Sequence, residues 1–133
     1  MATFENSAKL IEVLSGFFQF LSQDPGIGPK LLASRLILRF NYKEPEASLT
    51  VDLSGPQVVI LANDTERKPE VEMSMKADVA HRFWLGQVNL MIALTRREIT
   101  AKGPIPKILK LLPIIKPAYT LYPRYLEERG FFK

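Results

Sequence analysis

The chain has 133 residues, long enough to bury a continuous core as one domain without disulfides or a structural metal. Hydrophobic residues make up 47% and charged residues 24%, a balance that excludes a disordered or membrane-embedded chain. Zero cysteines rule out disulfides, thiolate metal ligands and thiol nucleophiles, while the net charge of +4 favours acidic partners without choosing among lipid head groups, acyl-thioester phosphates and nucleic acid.

No window holds the roughly 18 consecutive apolar residues of a membrane-spanning helix, and no basic segment followed by an apolar run opens the chain. A cytoplasmic protein with a single domain over residues 1–133 is expected. From Asn6 to Gln23, polar or small residues recur at Lys9, Glu12, Gly16, Gln19 and Gln23, one narrow stripe of a helix. The rest of that helix is apolar, from Leu10 and Ile11 to Phe20 and Leu21. One sheet face needs less apolar surface than this, so the helix is expected to touch a ligand or a second subunit as well.

Asp24-Pro25-Gly26 breaks the helix, and Ile27 to Ser34 adds a turn or two. Alternation of period two follows. Leu36, Leu38, Phe40 and Tyr42 face one way on a first strand, Leu49, Val51 and Leu53 on a second, with a hairpin turn at Lys43-Glu44-Pro45-Glu46. Val58 to Leu61 is apolar on both faces, which predicts a central strand covered on both sides. Val71, Met73 and Met75 alternate with polar residues in a fourth strand, and the run of four predicts an antiparallel meander.

Asp78 is placed to cap a short helix through Leu85, and Gly86 to end it in the left-handed conformation. A second short helix is predicted from Val88 to Leu94. Arg97 to Lys102 reads as a fifth strand closed by Gly103-Pro104. The last 29 residues are helical in pattern, with Pro106, Pro113, Pro117 and Pro123 predicting kinks or segments.

This order of helix, strands, two short helices, strand and C-terminal helices resembles the sterol carrier protein type two family of lipid-binding domains. The local match is clearest from Val71 to Leu112, where Gly86-Gln87-Val88 and Lys102-Gly103 fall at the family's helix-ending and strand-ending glycines. One departure is Arg96-Arg97, where the family carries a glycine before its last strand; that turn is expected to be built differently. The resemblance implies an α+β fold with a single five-stranded, largely antiparallel sheet covered on one side by helices. It implies an apolar cavity between sheet and helices for a sterol, fatty acid, acyl-CoA or other long-chain lipid, with no catalysis and no cofactor.

The residues expected to line that cavity are Phe17 on the first helix, then Phe83, Trp84, Leu85, Val88, Leu90, Met91 and Leu94 on the two short helices. Leu109, Leu112, Ile115 and Tyr119 of the C-terminal segment complete the set. Short helices move more cheaply than long ones, and methionines at 73, 75 and 91 offer adaptable surface for variable acyl chains. Lysines at 107, 110 and 116 and Arg124 border an apolar C-terminal segment with tyrosines, a combination suited to transient contact with an anionic membrane surface.

Other constellations are weak. His81, the only histidine, excludes a site built on several imidazoles and is expected on a helix surface. Glu70 and Glu72 are expected to face water, and Gly26-Ile27-Gly28 lacks the third glycine of a phosphate loop. No nucleophile, base and orienting group come from neighbouring segments, and no cationic stripe interleaves with aromatics, so neither an enzyme nor a nucleic-acid binder is expected. The competing expectation is an accessory module, a homodimer or an enzyme-docking subunit, with no bound small molecule. The chain is accordingly expected as a monomer or homodimer.

Overall fold

The computed structural model describes residues 3–132. Asn6 opens the first helix, α1 (Ser7–Ser22), by accepting the Lys9 N–H at 2.8 Å, so a donor without an intrahelical partner is satisfied by the side chain. The Asp24 carboxylate then accepts the N–H groups of Gly26 and Ile27 at 2.8 and 2.9 Å, turning the chain into α2 (Gly28–Ala33).

The strands are β1 (Ile37–Lys43), β2 (Ala47–Asp52), β3 (Val59–Ala62), β4 (Val71–Lys76) and β5 (Ile99–Lys102), in one sheet ordered β3-β2-β1-β4-β5. Three of its four pairings are antiparallel, and all its helices lie on one side. Two sequence-based expectations are corrected here. The apolar run at Val58–Leu61 forms an edge strand, with Val59 36% exposed, and β4 pairs with β1 in parallel, Phe40 opposite Met73.

Both departures follow from the segment between β3 and β4, which crosses the outer face of the sheet. There Arg39 of β1 donates to Thr50 Oγ1 at 3.0 Å, to the Asp64 carboxylate and to the Arg67 carbonyl, while Arg67 pairs with Asp52 at 3.3 Å. Thr50 is fully covered as a result. With the connection anchored on that face, β4 is delivered to the far side of β1, and β3 is left at the rim.

β4 runs without a linker into α3 (Ala77–Trp84), so the helix begins one residue before Asp78. Asp78 is therefore a first-turn residue instead of the cap, and its carboxylate accepts the Thr3 N–H at 2.9 Å, tying the chain start to α3. Beyond Trp84, Gly86 adopts φ +80°, its N–H bonding Phe83 O while Gln87 N–H bonds Arg82 O, a Schellman ending. Asn89 caps α4 (Leu90–Thr95) by accepting the Ile92 N–H, so that helix starts two residues later than expected. α4 closes the same way, with Arg97 taking the left-handed position at φ +61° and Glu98 N–H bonding Ala93 O. The turn that usually carries glycine is thus built around an arginine.

The C-terminal segment divides at Pro117 into α5 (Ile105–Ile115) and α6 (Ala118–Arg129), with Pro113 and Pro123 accommodated inside the helices. α6 lies on α1. The Tyr125 hydroxyl donates to the Val13 carbonyl at 2.8 Å, and Phe17 packs edge-on to Tyr122 with centroids 4.7 Å apart. The surplus apolar surface of α1 is consumed by this second layer within the chain. Among the described residues no helix is long and apolar enough to cross a membrane.

Candidate ligand-binding site

Alternation on β1, β2 and β4 sends Leu38, Phe40, Tyr42, Val51, Met73 and Met75 toward the helical layer. Those side chains form the floor of an apolar pocket of about 90 Å³. Phe18 and Leu21 of α1 close one wall, Ala80, Phe83 and Trp84 of α3 another, and Ile108, Leu111, Leu112 and Ile115 of α5 the roof, with Leu90 and Ile99 beside them. No lining residue is charged. Apart from methionine sulfur, only the Tyr42 hydroxyl and the Trp84 indole N–H can hydrogen-bond, and burial pushes the Tyr42 phenol far above its ordinary value, so it stays neutral.

Of the residues singled out from sequence, Phe83, Trp84, Leu90, Leu112 and Ile115 face this pocket. Phe17 does not. It points the other way around α1, into a cluster with Trp84, Tyr122 and Tyr125, and its neighbour Phe18 takes the pocket wall, 5.5 Å from the Phe40 ring. A helix turns 100° per residue, so adjacent phenylalanines cannot share a face. Leu85 and Leu94 are half-buried and pack on the core without reaching either concavity.

Val88, Met91, Leu109 and Tyr119 line a second concavity, an open groove of about 810 Å³ between α4, α5 and the start of α6. Leu90 and Leu112 line both, so the pocket and the open groove adjoin at these two leucines. Lys116 stands at the groove's edge. Sequence reasoning concentrated on helices and passed over most of the sheet floor. The period-two alternation that identified the strands also specified which of their residues point inward, so Leu38, Phe40 and Tyr42 were within its reach.

His81 departs from its expected surface position. It is half-buried between Phe4 and Phe132, with Nδ1 2.8 Å from the hydroxyl of the fully buried Tyr122. Burial lowers its pKa, partly opposed by Asp78, whose own carboxyl is held below the usual range chiefly by the Thr3 backbone N–H. This cluster joins α3 to α6 behind the pocket and presents no group into it. Glu70, just before β4, pairs with Lys107 of α5, and Glu72, on the outer face of β4, accepts from Asn41 at 3.1 Å.

The sequence matches the family described as the SCP-2 sterol transfer family over residues 17–116. Solved structures with the same fold include the sterol carrier protein domain 2 of Helicoverpa armigera, at 16% identity and TM-score 0.66, covering 82% of this chain and 89% of that one. Sterol Carrier Protein 2 from Yarrowia lipolytica, in its apo form, gives 16% identity, TM-score 0.65 and coverages of 90% and 95%. A UbiJ-SCP2 ubiquinone synthesis protein gives 20% identity, TM-score 0.59 and coverages of 84% and 89%. A comparison with curated proteins returns no match.

Proposed function

The chain belongs to the SCP-2 sterol transfer family, and from that premise we propose that it is a non-catalytic carrier that takes up one long-chain lipid between its sheet and its helices, with residues 1–133 acting as a single lipid-binding domain. The observation that carries this reading is the uncharged pocket bounded by β1, β4, α3 and α5. A void lined by hydrocarbon gains nothing from water, whereas an alkyl chain placed there is removed from water at about 0.8 kcal/mol per methylene.

The lining also narrows the ligand class. Fixed cations are absent from the pocket wall, so a carboxylate or phosphate buried there would lose its hydration without a partner. A sterol-like or otherwise neutral polar end suits Tyr42 and Trp84. A fatty acid or acyl-CoA would instead place its chain inside and its charged end in the groove beside Lys116. At about 90 Å³ the pocket is smaller than a cavity of about 150 Å³ that holds benzene, so loading requires α4 and α5 to move outward. α4 is six residues long and buries only Leu90 and Ala93, which makes it the cheaper of the two to displace.

A second reading, an accessory subunit serving an enzyme of apolar substrates, is favoured by the similarity to the UbiJ-SCP2 ubiquinone synthesis protein and by Met91 and Ile92, exposed at 52% and 50%. The deciding experiment is native mass spectrometry of the purified chain, denaturing extraction of any bound lipid, and titration of the emptied protein with a monomeric fluorescent fatty acid and a fluorescent sterol. Stoichiometric binding of either establishes the carrier. Failure to bind both, with capture of a partner enzyme, establishes the accessory subunit.

A further inference from the structure

Three tyrosines are buried, and two of their hydroxyls have partners within the chain. Tyr125 donates to the Val13 carbonyl at 2.8 Å, and the Tyr122 hydroxyl lies 2.8 Å from His81 Nδ1. Thr50, the buried polar residue of the sheet, likewise accepts from Arg39 at 3.0 Å. The third tyrosine, Tyr42 on β1, is 4% exposed, and its hydroxyl makes no hydrogen bond among the described residues. A buried hydroxyl without a partner is costly, and folded chains seldom leave one. Yet this one is not sealed in. Among the described residues, Arg67 Nη1 is the one unpartnered side-chain nitrogen or oxygen that is wholly enclosed. The Tyr42 hydroxyl therefore keeps a surface that a small molecule can reach, and the space that Tyr42 borders is the apolar pocket. Trp84 of α3, 7% exposed, borders the same space, and its indole N–H also makes no hydrogen bond among the described residues.

An indole N–H only donates, and a phenol hydroxyl donates or accepts, so a ligand end that carries an acceptor oxygen can satisfy either group. No cation lines the pocket. A carboxylate or phosphate would accept the same bonds with its charge uncompensated, whereas a hydroxyl or carbonyl brings no charge to compensate. Tyr42 borders the pocket and not the groove, so a ligand end that reaches it has entered ahead of the chain. The space agrees with this order. About 90 Å³ is about three water-sized shares, room for a small polar end, while the hydrocarbon behind it requires the outward movement of α4 and α5.

We propose that Tyr42 is the specificity-determining residue of the pocket: the preferred ligand is a long-chain lipid with an uncharged hydroxyl or carbonyl end, and that end enters first and hydrogen-bonds the Tyr42 hydroxyl. The proposal rests on the carrier reading and adds to it an orientation and a head-group preference. A neutral lipid is held at the sheet by its polar end. An acid of the same chain length is held by its hydrocarbon alone, with its charge left in the groove beside Lys116. Only the neutral lipid has a bond to lose at Tyr42, so the two respond differently when that hydroxyl is removed.

The test titrates the whole chain, emptied of lipid, with parinaryl alcohol and parinaric acid at neutral pH; the two probes share one fluorescent hydrocarbon chain and differ only at the end. The alcohol should bind about tenfold more tightly than the acid. Tyr42→Phe should lower alcohol affinity by about tenfold, the value of one hydrogen bond made in a buried site, and leave acid affinity within about twofold. Without ligand, the thermal midpoint of Tyr42→Phe should be unchanged or higher, because the hydroxyl removed had no partner. Tyr122→Phe, which removes a hydroxyl already bonded to His81, should instead lower the midpoint and leave the ratio of alcohol to acid affinity unchanged. Equal losses for both probes in Tyr42→Phe, or a midpoint lowered by several degrees, would make Tyr42 a structural residue and overturn the proposal. Alcohol and acid binding equally well, both untouched by Tyr42→Phe, would overturn it while leaving the carrier reading intact. Binding of neither probe would defeat the carrier reading, and the proposal with it.

Discussion

Replacing Ala80 with leucine probes the pocket directly. Ala80 lies on α3, is 2% exposed and faces the void. Leucine adds three carbons, each close to the roughly 30 Å³ share of a water molecule, so the added volume nearly equals the 90 Å³ available. Burial of three such groups is worth about 2.4 kcal/mol at about 0.8 kcal/mol each, and imperfect fit in a packed core returns part of that. The expected net gain for the empty protein is about 1 kcal/mol, a rise of about 3–5 °C in the thermal midpoint read by circular dichroism. The same filling should lower affinity for a fluorescent fatty acid by about tenfold or more, since the ligand must now evict a fixed side chain. A variant that is stabilised yet binds as before would move the ligand out of this pocket. A variant that is destabilised by several kcal/mol would mean that the void is not open beside Ala80, and the reasoning would fail at its first step.

Three further outcomes follow from individual contacts. A Cβ on Gly16 would stand 2.3 Å from the buried Tyr125 hydroxyl, so Gly16→Ala should destabilise by about 1–2 kcal/mol despite a helix-propensity gain of about 1 kcal/mol, because the bond to Val13 is lost. Chemical denaturation of Gly16→Ala, Tyr125→Phe and the double variant should be non-additive, and additivity would place the clash elsewhere. Arg97→Gly should be neutral to stabilising by up to about 1 kcal/mol in the same assay, since glycine enters φ +61° without steric cost while enlarging the unfolded ensemble; a marked loss would assign the arginine a structural contact. For His81, burial lowers the folded pKa below the ordinary 6.5, so the unfolded chain takes up the proton first on acidification. This contribution to stability is fully present above about pH 6.5 and declines as pH falls through the folded value, and His81→Gln should flatten that part of the stability profile.

Local pattern was enough to find nearly every element, because each is written in its own residues: the period-two runs of β1, β2 and β4, the narrow polar stripe of α1, and the glycine that ends α3. The five-stranded α+β class followed from the family resemblance that their order carries. Sheet order did not. Whether Val58–Leu61 becomes central or peripheral depends on where the next connection runs, and that is decided by Arg39, Asp64 and Arg67 meeting across the outer face, residues up to 28 positions apart. The parallel pairing of β4 with β1 has the same origin.

For the candidate site, sequence alone specified that apolar side chains on α3, α4 and α5 are too numerous for solvent. Only the tertiary structure decided how they divide: Phe83, Trp84 and Ile115 toward the apolar pocket, Val88, Met91, Leu109 and Tyr119 toward an open groove, Leu90 and Leu112 toward both, and Phe17 into the packing of α6. The physical reason is that burial in water-soluble chains is selected by hydrophobicity, which a residue carries by itself, whereas a void or a passage is a property of the gap left between elements. That gap is fixed by how α1, α5 and the sheet pack together, and no single stretch of chain encodes it.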